Sequence, residues 1–188
     1  MIKILNKKFK PRIKARIRKN KQILGKNIDI FFNWVKGAKL VELKECNTEE
    51  DPVRPELDNK FRTGYGRKIY GVEFKGEIYA VMCFAYTNQI PKSVDELEKL
   101  STDAFLQSAM RDQSGGQIAI AYTVWSKKKG GGKLIVKEVF KKIKKSNHLN
   151  RLVTLSPLTE MATKFHTRNG AKLVQINEKT QNFEYKVL

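Results

Sequence analysis

The sequence predicts a mixed α/β fold, in which a central sheet of parallel and antiparallel strands is flanked by helices. Three observations predict it. Ile118 to Trp125 is an apolar, β-branched and aromatic run that breaks at Ser126 into Lys127-Lys128-Lys129-Gly130-Gly131-Gly132-Lys133, after which apolar residues recur at helical spacing through Ile143. That reads as strand, glycine loop, helix. Lys68 to Phe74 and Glu77 to Tyr86 carry strand-forming residues on either side of Lys75-Gly76, the pattern of a β-hairpin. Strands and helices alternate through the second half of the chain, and the hairpin argues against a purely parallel sheet.

The 188 residues, with 40% apolar content, suffice for one domain with a substantial core. No stretch approaches the roughly eighteen apolar residues of a membrane span. Met1 to Lys8 carries charge without the apolar segment of a secretory signal, so a cytoplasmic location is expected. Of the formal net charge of +19, residues 1–26 supply 11 basic groups and no acidic one, leaving +8 for the rest. A basic N-terminal arm or helix over 1–26 and a single domain over 27–188 are therefore expected, with 65–188 its clearest core. Such an arm suits nucleic acid, an anionic membrane surface or an acidic partner, and equally a solvated, solubilising end.

Residues 12–24 can be drawn as a helix with Ile13, Ile17 and Leu24 on one side. The apolar cluster from Ile28 to Val35 fits a helix or a strand, and Ala38 to Leu43 a short strand. From Glu45 to Asn59 the chain turns polar and acidic around Pro52 and Pro55, the pattern of a linker or long loop. The interval between Tyr86 and Gln117 is too long to be structureless and predicts one or two helices, from Asp95, Glu96 and Glu98 beside Leu97, Leu100, Phe105, Leu106 and Met110. After the glycine loop, Leu134, Ile135, Val139, Phe140 and Ile143 share a helical face and leave Lys137, Lys141, Lys142, Lys144 and Lys145 on others. Arg151 to Leu155 reads as a buried strand ending at Ser156-Pro157. Thr159 to Arg168 is a helix stopped by Asn169-Gly170. Ala171 to Ile176 and Phe183 to Val187 are the closing strands.

A strand, glycine loop and helix can aim backbone N–H groups and a helix N-terminus at an anion, which makes a phosphate-bearing ligand the first hypothesis. Gly130 and Gly132 are placed for close ligand approach, Gly131 for a left-handed backbone, and Lys133 to begin the helix. Leu134 stands where a nucleotide-triphosphatase loop needs Ser or Thr. A dinucleotide fold would put the loop on its first strand, whereas here it falls in the last third of the chain. Cys46, Cys83, His148 and His166 lack the paired spacing of a zinc site, so no metal is expected. The cysteines can form one disulfide or stay as two thiols.

Lys127-x-x-Gly130-x-Gly132, after a strand and before an amphipathic helix, resembles the Arg/Gln-x-x-Gly-x-Gly/Ala acyl-coenzyme A loop of the GCN5-related N-acetyltransferase (GNAT) superfamily, with lysine in the first position. Downstream, Thr159-x-x-Ala162-x-x-x-His166 followed by Gly170-Ala171 falls where members carry Asn-x-x-Ala-x-x-x-Tyr and then Gly-Phe. His166 thus replaces the family's frequent catalytic tyrosine. Thr154-Leu155-Ser156-Pro157 resembles a segment of malonyl-coenzyme A decarboxylases, whose catalytic domain is acetyltransferase-like. Together these resemblances span residues 65–188.

The resemblance implies a GNAT-like acyl-CoA N-acyltransferase fold whose sheet splays between the strand ending near Trp125 and the strand ending near Leu155. Backbone groups of Val124 and Trp125 would hold the pantetheine arm. The loop of Lys127, Lys128, Lys129, Gly130, Gly131, Gly132 and Lys133 would hold the pyrophosphate. Catalytic candidates are His166, Ser156 and Tyr122. His166 can be an acid for the departing thiolate, a base, an acceptor contact or no catalyst. Ser156 is an active-site contact or a helix N-cap, and Tyr122 a pocket or core residue. Glu73 and Glu77 are base candidates or ordinary surface, and Cys83 reads as packed. The expected cosubstrate is acetyl-CoA or another acyl-CoA, with an unidentified amine as acceptor. The alternatives are a catalytically weak relative that binds nucleic acid through its basic surface, and another acyl-CoA enzyme.

Overall fold

The computed structural model describes residues 37–110 and 115–185. The basic arm, the helix expected over 12–24 and the apolar cluster at 28–35 lie outside the described residues. The strands are β1 (Lys39–Leu43), β2 (Lys68–Phe74), β3 (Glu77–Thr87), β4 (Ile118–Ser126), β5 (Arg151–Thr154), β6 (Ser156–Pro157), β7 (Ala171–Ile176) and β8 (Thr180–Tyr185). The helices are α1 (Asn59–Thr63), α2 (Val94–Met110), α3 (Gly131–Lys144) and α4 (Glu160–Arg168). One mixed sheet runs in the order β1-β2-β3-β4-β5-β8-β6, with β7 on β8. Its neighbours are antiparallel except β4 and β5, which are parallel. A parallel pair needs a crossover, and α3 supplies it.

Local chemistry accounts for the element ends. Lys75 and Gly76 both have positive φ, 52° and 81°, the geometry of a two-residue turn whose twist matches the strands it joins. At the start of α2, Ser93 Oγ accepts from the Glu96 amide while the Glu96 carboxylate turns back to the Lys92 amide, a reciprocal cap on otherwise orphaned donors. Thr159 Oγ1 caps the Ala162 amide at the start of α4, and Gly170 follows that helix with φ +90°. Leu134, Ile135, Val136, Val139 and Ile143 of α3 are buried.

The two faces of the sheet are packed differently. Ile69, Val81, Cys83, Ile120 and Tyr122 form a core cluster with Leu97 of α2. On the α3 face, Lys142 Nζ lies over the Tyr70 ring, which meets Phe84 edge-on. Cys46 and Cys83 are both free thiols. Burial holds the Cys83 thiol well above its ordinary pKa, in keeping with a packed rather than nucleophilic side chain.

The stretch from Glu45 to Asn59, expected as a linker or long loop, is a loop over most of its length, but two of its charged residues are buried in the core. Asp51, Arg54 and the neighbouring Arg62 of α1 are 1%, 7% and 0% exposed. Arg62 Nη2 pairs with Asp51 Oδ2 at 2.9 Å. Asp51 Oδ1 accepts from the amides of Val53 and Arg54, and both its oxygens accept from Thr123 Oγ1 at 2.8 Å. Charges this deep persist only when nearly every lone pair and proton is satisfied. Composition could not reveal that, because the partners lie 11 and 72 positions away.

Candidate active site

The site begins where the parallel pair ends. Pairing of β4 with β5 runs from Ile118↔Arg151 to Ala121↔Thr154, and the Leu155 amide still reaches Ala121 O at 2.9 Å. Beyond that, β4 continues to Ser126 without β5 beside it. Two features part the strands. The β3–β4 register shifts between Cys83 and Phe84, leaving Tyr122 as the unmatched residue of a bulge. On the other strand, Pro157 has no N–H for a ladder, and β6 pairs with β8 through Ser156↔Gln181.

A cavity of about 410 Å³ opens at the divergence. Tyr122, Val124 and Trp125 of β4 line it, with Leu152 and Thr154 of β5, Ser156, His166 of α4, Tyr185 of β8, and Val53 of the loop between Asp51 and Arg54. Leu152, Thr154 and Ser156 share one face by strand alternation, which sends Leu155 into the opposite core. Among the described residues, no Asp, Glu, Lys or Arg lines this cavity.

Three side chains from separate elements form a hydrogen-bonded series within it. Ser156 Oγ lies 2.8 Å from His166 Nε2, and His166 Nδ1 lies 2.9 Å from the Tyr185 hydroxyl. Ser156 Oγ also donates to Thr154 Oγ1 at 3.0 Å, which in turn accepts from the Phe183 amide. The imidazole stacks on Phe183 with ring centroids 5.1 Å apart. Both ring nitrogens and one ring face are therefore held. Burial lowers the His166 pKa to about 4 and raises that of the Tyr185 phenol. Burial thus favours the neutral ring, which donates through one nitrogen and accepts through the other. Ser156 is not a helix N-cap, since Thr159 fills that position.

Tyr122 lines the cavity but is only 1% exposed, with its ring edge-on to Phe61. Its hydroxyl and Trp125 Nε1 are buried without a hydrogen-bond partner among the described residues. Burial holds the Tyr122 phenol above its ordinary pKa. Glu73 and Glu77 belong to the β2–β3 hairpin and do not line the cavity.

The glycine loop differs in detail from expectation. Gly130, not Gly131, takes the left-handed conformation, with φ +87°, and the helix begins at Gly131 rather than Lys133. Gly131 is buried, and a Cβ there would press into Ser126 Oγ and approach Tyr79 O and Ala80 Cβ to 3.0 and 3.3 Å. Gly131→Ala is therefore expected to cost about 1–3 kcal/mol in urea unfolding; an unchanged midpoint would show that the turn relaxes freely. Gly132 lines the cavity, so the first turn of α3 reaches it. Lys127 pairs with Glu50 at 2.6 Å and Lys128 lies over the Tyr79 ring, while Lys129 and Lys133 are exposed. Farther along α3, Lys141 pairs with Glu138.

Sequence reasoning missed Arg54, Asp51 and Arg62, which sit behind the Pro52–Val53 wall without lining the cavity, and Tyr185, the second partner of His166. None carries a local motif. No group of three or more His, Cys, Asp or Glu side chains is placed to hold a metal among the described residues. No helix there is long and apolar enough to cross a membrane.

No protein-family model and no curated protein sequence matches the chain. Solved structures do match in fold. The GNAT-like decarboxylase GphF in complex with isobutyryl-CoA superposes with TM-score 0.60 at 10% identity, over 80% of this chain and 100% of that one. The loading GNAT-like domain of CurA from Lyngbya majuscula gives 0.57 at 11% identity, over 80% and 98%. A Bacillus subtilis acetyltransferase in complex with CoA gives 0.54 at 13% identity, over 80% and 99%. The bulged β4, its parting from β5 and the glycine-led α3 thus belong to a chain with the GNAT-like fold.

Proposed function

We propose that this protein is an acyl-coenzyme A enzyme whose thioester lies against Ser156 and His166. The observation that carries the reading is the Ser156–His166–Tyr185 series, set in a cavity where two strands part beside a helix N-terminus. The unmatched end of β4 offers backbone groups near Val124 and Trp125 to a pantetheine arm. The first turn of α3 has amides without intrahelical acceptors and the positive end of a helix dipole, beside exposed lysines, all of which suit a pyrophosphate.

The reaction that these groups favour is decarboxylation of a 2-carboxyacyl thioester. Cleavage of the bond between C2 and the carboxyl carbon releases CO₂ and leaves its electron pair delocalised onto the thioester oxygen as an enolate. The Ser156 hydroxyl, held by His166 Nε2 and turned from Thr154 Oγ1, donates to that oxygen, and a proton from solvent then adds at C2. A cavity without cationic side chains desolvates the departing carboxylate rather than stabilising it. The local resemblance of Thr154 to Pro157 to malonyl-CoA decarboxylases, and the decarboxylase among the structures of similar fold, support the same reading. A second reading, acyl transfer to an amine, is favoured by the 2.8 Å contact between Ser156 Oγ and His166 Nε2, through which a proton from an attacking amine would be relayed to the neutral imidazole.

Calorimetric titration with coenzyme A tests the shared premise. Saturable binding is expected for the wild type and at least a tenfold weaker Kd for Gly130→Asp, which sets a carboxylate at the helix N-terminus (about 1.4 kcal/mol or more). Wild-type protein that does not bind would reject the coenzyme A site. Release of CO₂ from malonyl- or methylmalonyl-CoA then separates decarboxylation from transfer, which requires an added amine.

A further inference from the structure

We propose that Arg54 is the positioning residue that fixes the opening between β4 and β5. Its Nε donates to Tyr122 O and its Nη2 to Leu155 O, both at 2.9 Å. These carbonyls face one another across the point where pairing stops. In a regular parallel ladder Leu155 O would accept from the β4 amide two residues beyond Ala121, but the bulge at Tyr122 puts that strand out of step. Tyr122 O belongs to the unmatched residue itself. Two buried acceptors stranded by the bulge are thus satisfied by one planar fork, whose spacing a lysine cannot reproduce.

Arg54 is itself held in place. Its amide donates to Asp51 Oδ1 at 3.2 Å, and its carbonyl accepts from Arg62 Nη2 at 2.7 Å. Asp51 also holds Thr123, the residue after the bulge. The chain from Asp51 to Arg54 therefore ties the guanidinium to the strand it braces, and Val53 between them forms part of the cavity wall. Arg54 touches no reacting atom in this arrangement. It acts by keeping the backbone groups of β4 at the spacing a pantetheine arm requires, a role that rests on the acyl-coenzyme A reading.

The test is Arg54→Ala with and without millimolar methylguanidinium, and with methylammonium as the control cation. Coenzyme A affinity by calorimetry should fall at least about tenfold, and methylguanidinium, but not methylammonium, should recover part of it. Unchanged affinity, or equal recovery by the two cations, would overturn the proposal. If the wild type fails to bind coenzyme A, the acyl-coenzyme A reading falls and Arg54 is judged by hydrogen exchange instead. Amides in peptides covering 122–126 and 152–157 should then exchange about tenfold faster in the variant and slow again with methylguanidinium; unaltered exchange refutes the brace. Should Arg54→Ala not fold, Arg54→Lys, which keeps the charge and loses the fork, should show the same weakening and exchange without cation rescue, and wild-type behaviour in it refutes the proposal.

Discussion

Replacing His166 by Phe is expected to lower kcat for thioester turnover by about 10²–10⁴-fold while coenzyme A affinity stays within about twofold. Phenylalanine can keep the stack on Phe183 but removes both nitrogens, so Ser156 loses the group behind it and the buried Tyr185 hydroxyl loses its partner. A second, independent signature lies in stability against pH. Folding lowers the His166 pKa from 6.5 to about 4. Between those values the unfolded chain takes up a proton that the folded chain refuses, so stability rises with pH through this window and is lost as pH falls. The full difference amounts to about 3 kcal/mol. Urea unfolding from pH 7 to pH 4 should show this loss in the wild type and a shallower slope in His166→Phe. Matching slopes would place the titration elsewhere, and wild-type kcat would remove His166 from the reaction.

Asp51→Asn is expected to destabilise the fold by about 3–5 kcal/mol. Asparagine preserves the shape of the side chain but leaves the Arg62 guanidinium, at 0% exposure, without a counter-charge. It also turns an amide donor toward a cluster in which Val53, Arg54 and Thr123 all donate. The double variant Asp51→Asn/Arg62→Met should lose less than the sum of its single variants, because it removes both charges together. Urea midpoints at pH 7 decide the matter. A loss below about 1 kcal/mol in Asp51→Asn would mean that water reaches the pair and supports the lone charge.

Much of the fold was legible because its causes are local. The Lys75-Gly76 turn requires positive φ at successive residues, and flanking β-branched and aromatic runs mark its strands. Apolar spacing after Gly132 identified the buried face of α3, adding only Val136 to the expected set and leaving Phe140 half-buried. Asn169-Gly170 stops α4 through backbone geometry that few other residues adopt. The glycine loop was legible in position but not in detail. Gly130 takes the left-handed backbone, and Gly131, packed closely on Ser126 and Ala80, is the first helical residue.

The polar stretch around Pro52 and Pro55 shows the limit of composition. Charge and proline there carry the pattern of a loop, and the backbone is indeed irregular. Yet Asp51 and Arg54 are buried because Arg62, Thr123, Tyr122 O and Leu155 O complete their hydrogen bonds.

By itself, the sequence determined the alternation of strands and helices, the glycine turn ahead of α3, and the candidacy of Ser156 and His166, since each is written in residues near one another along the chain. Only the tertiary structure decided that Ser156, His166 and Tyr185 form one series, that burial keeps the imidazole neutral, and that Arg54 spans the parting strands. Those outcomes depend on distances between elements and on the exclusion of water, and both arise only when the chain packs.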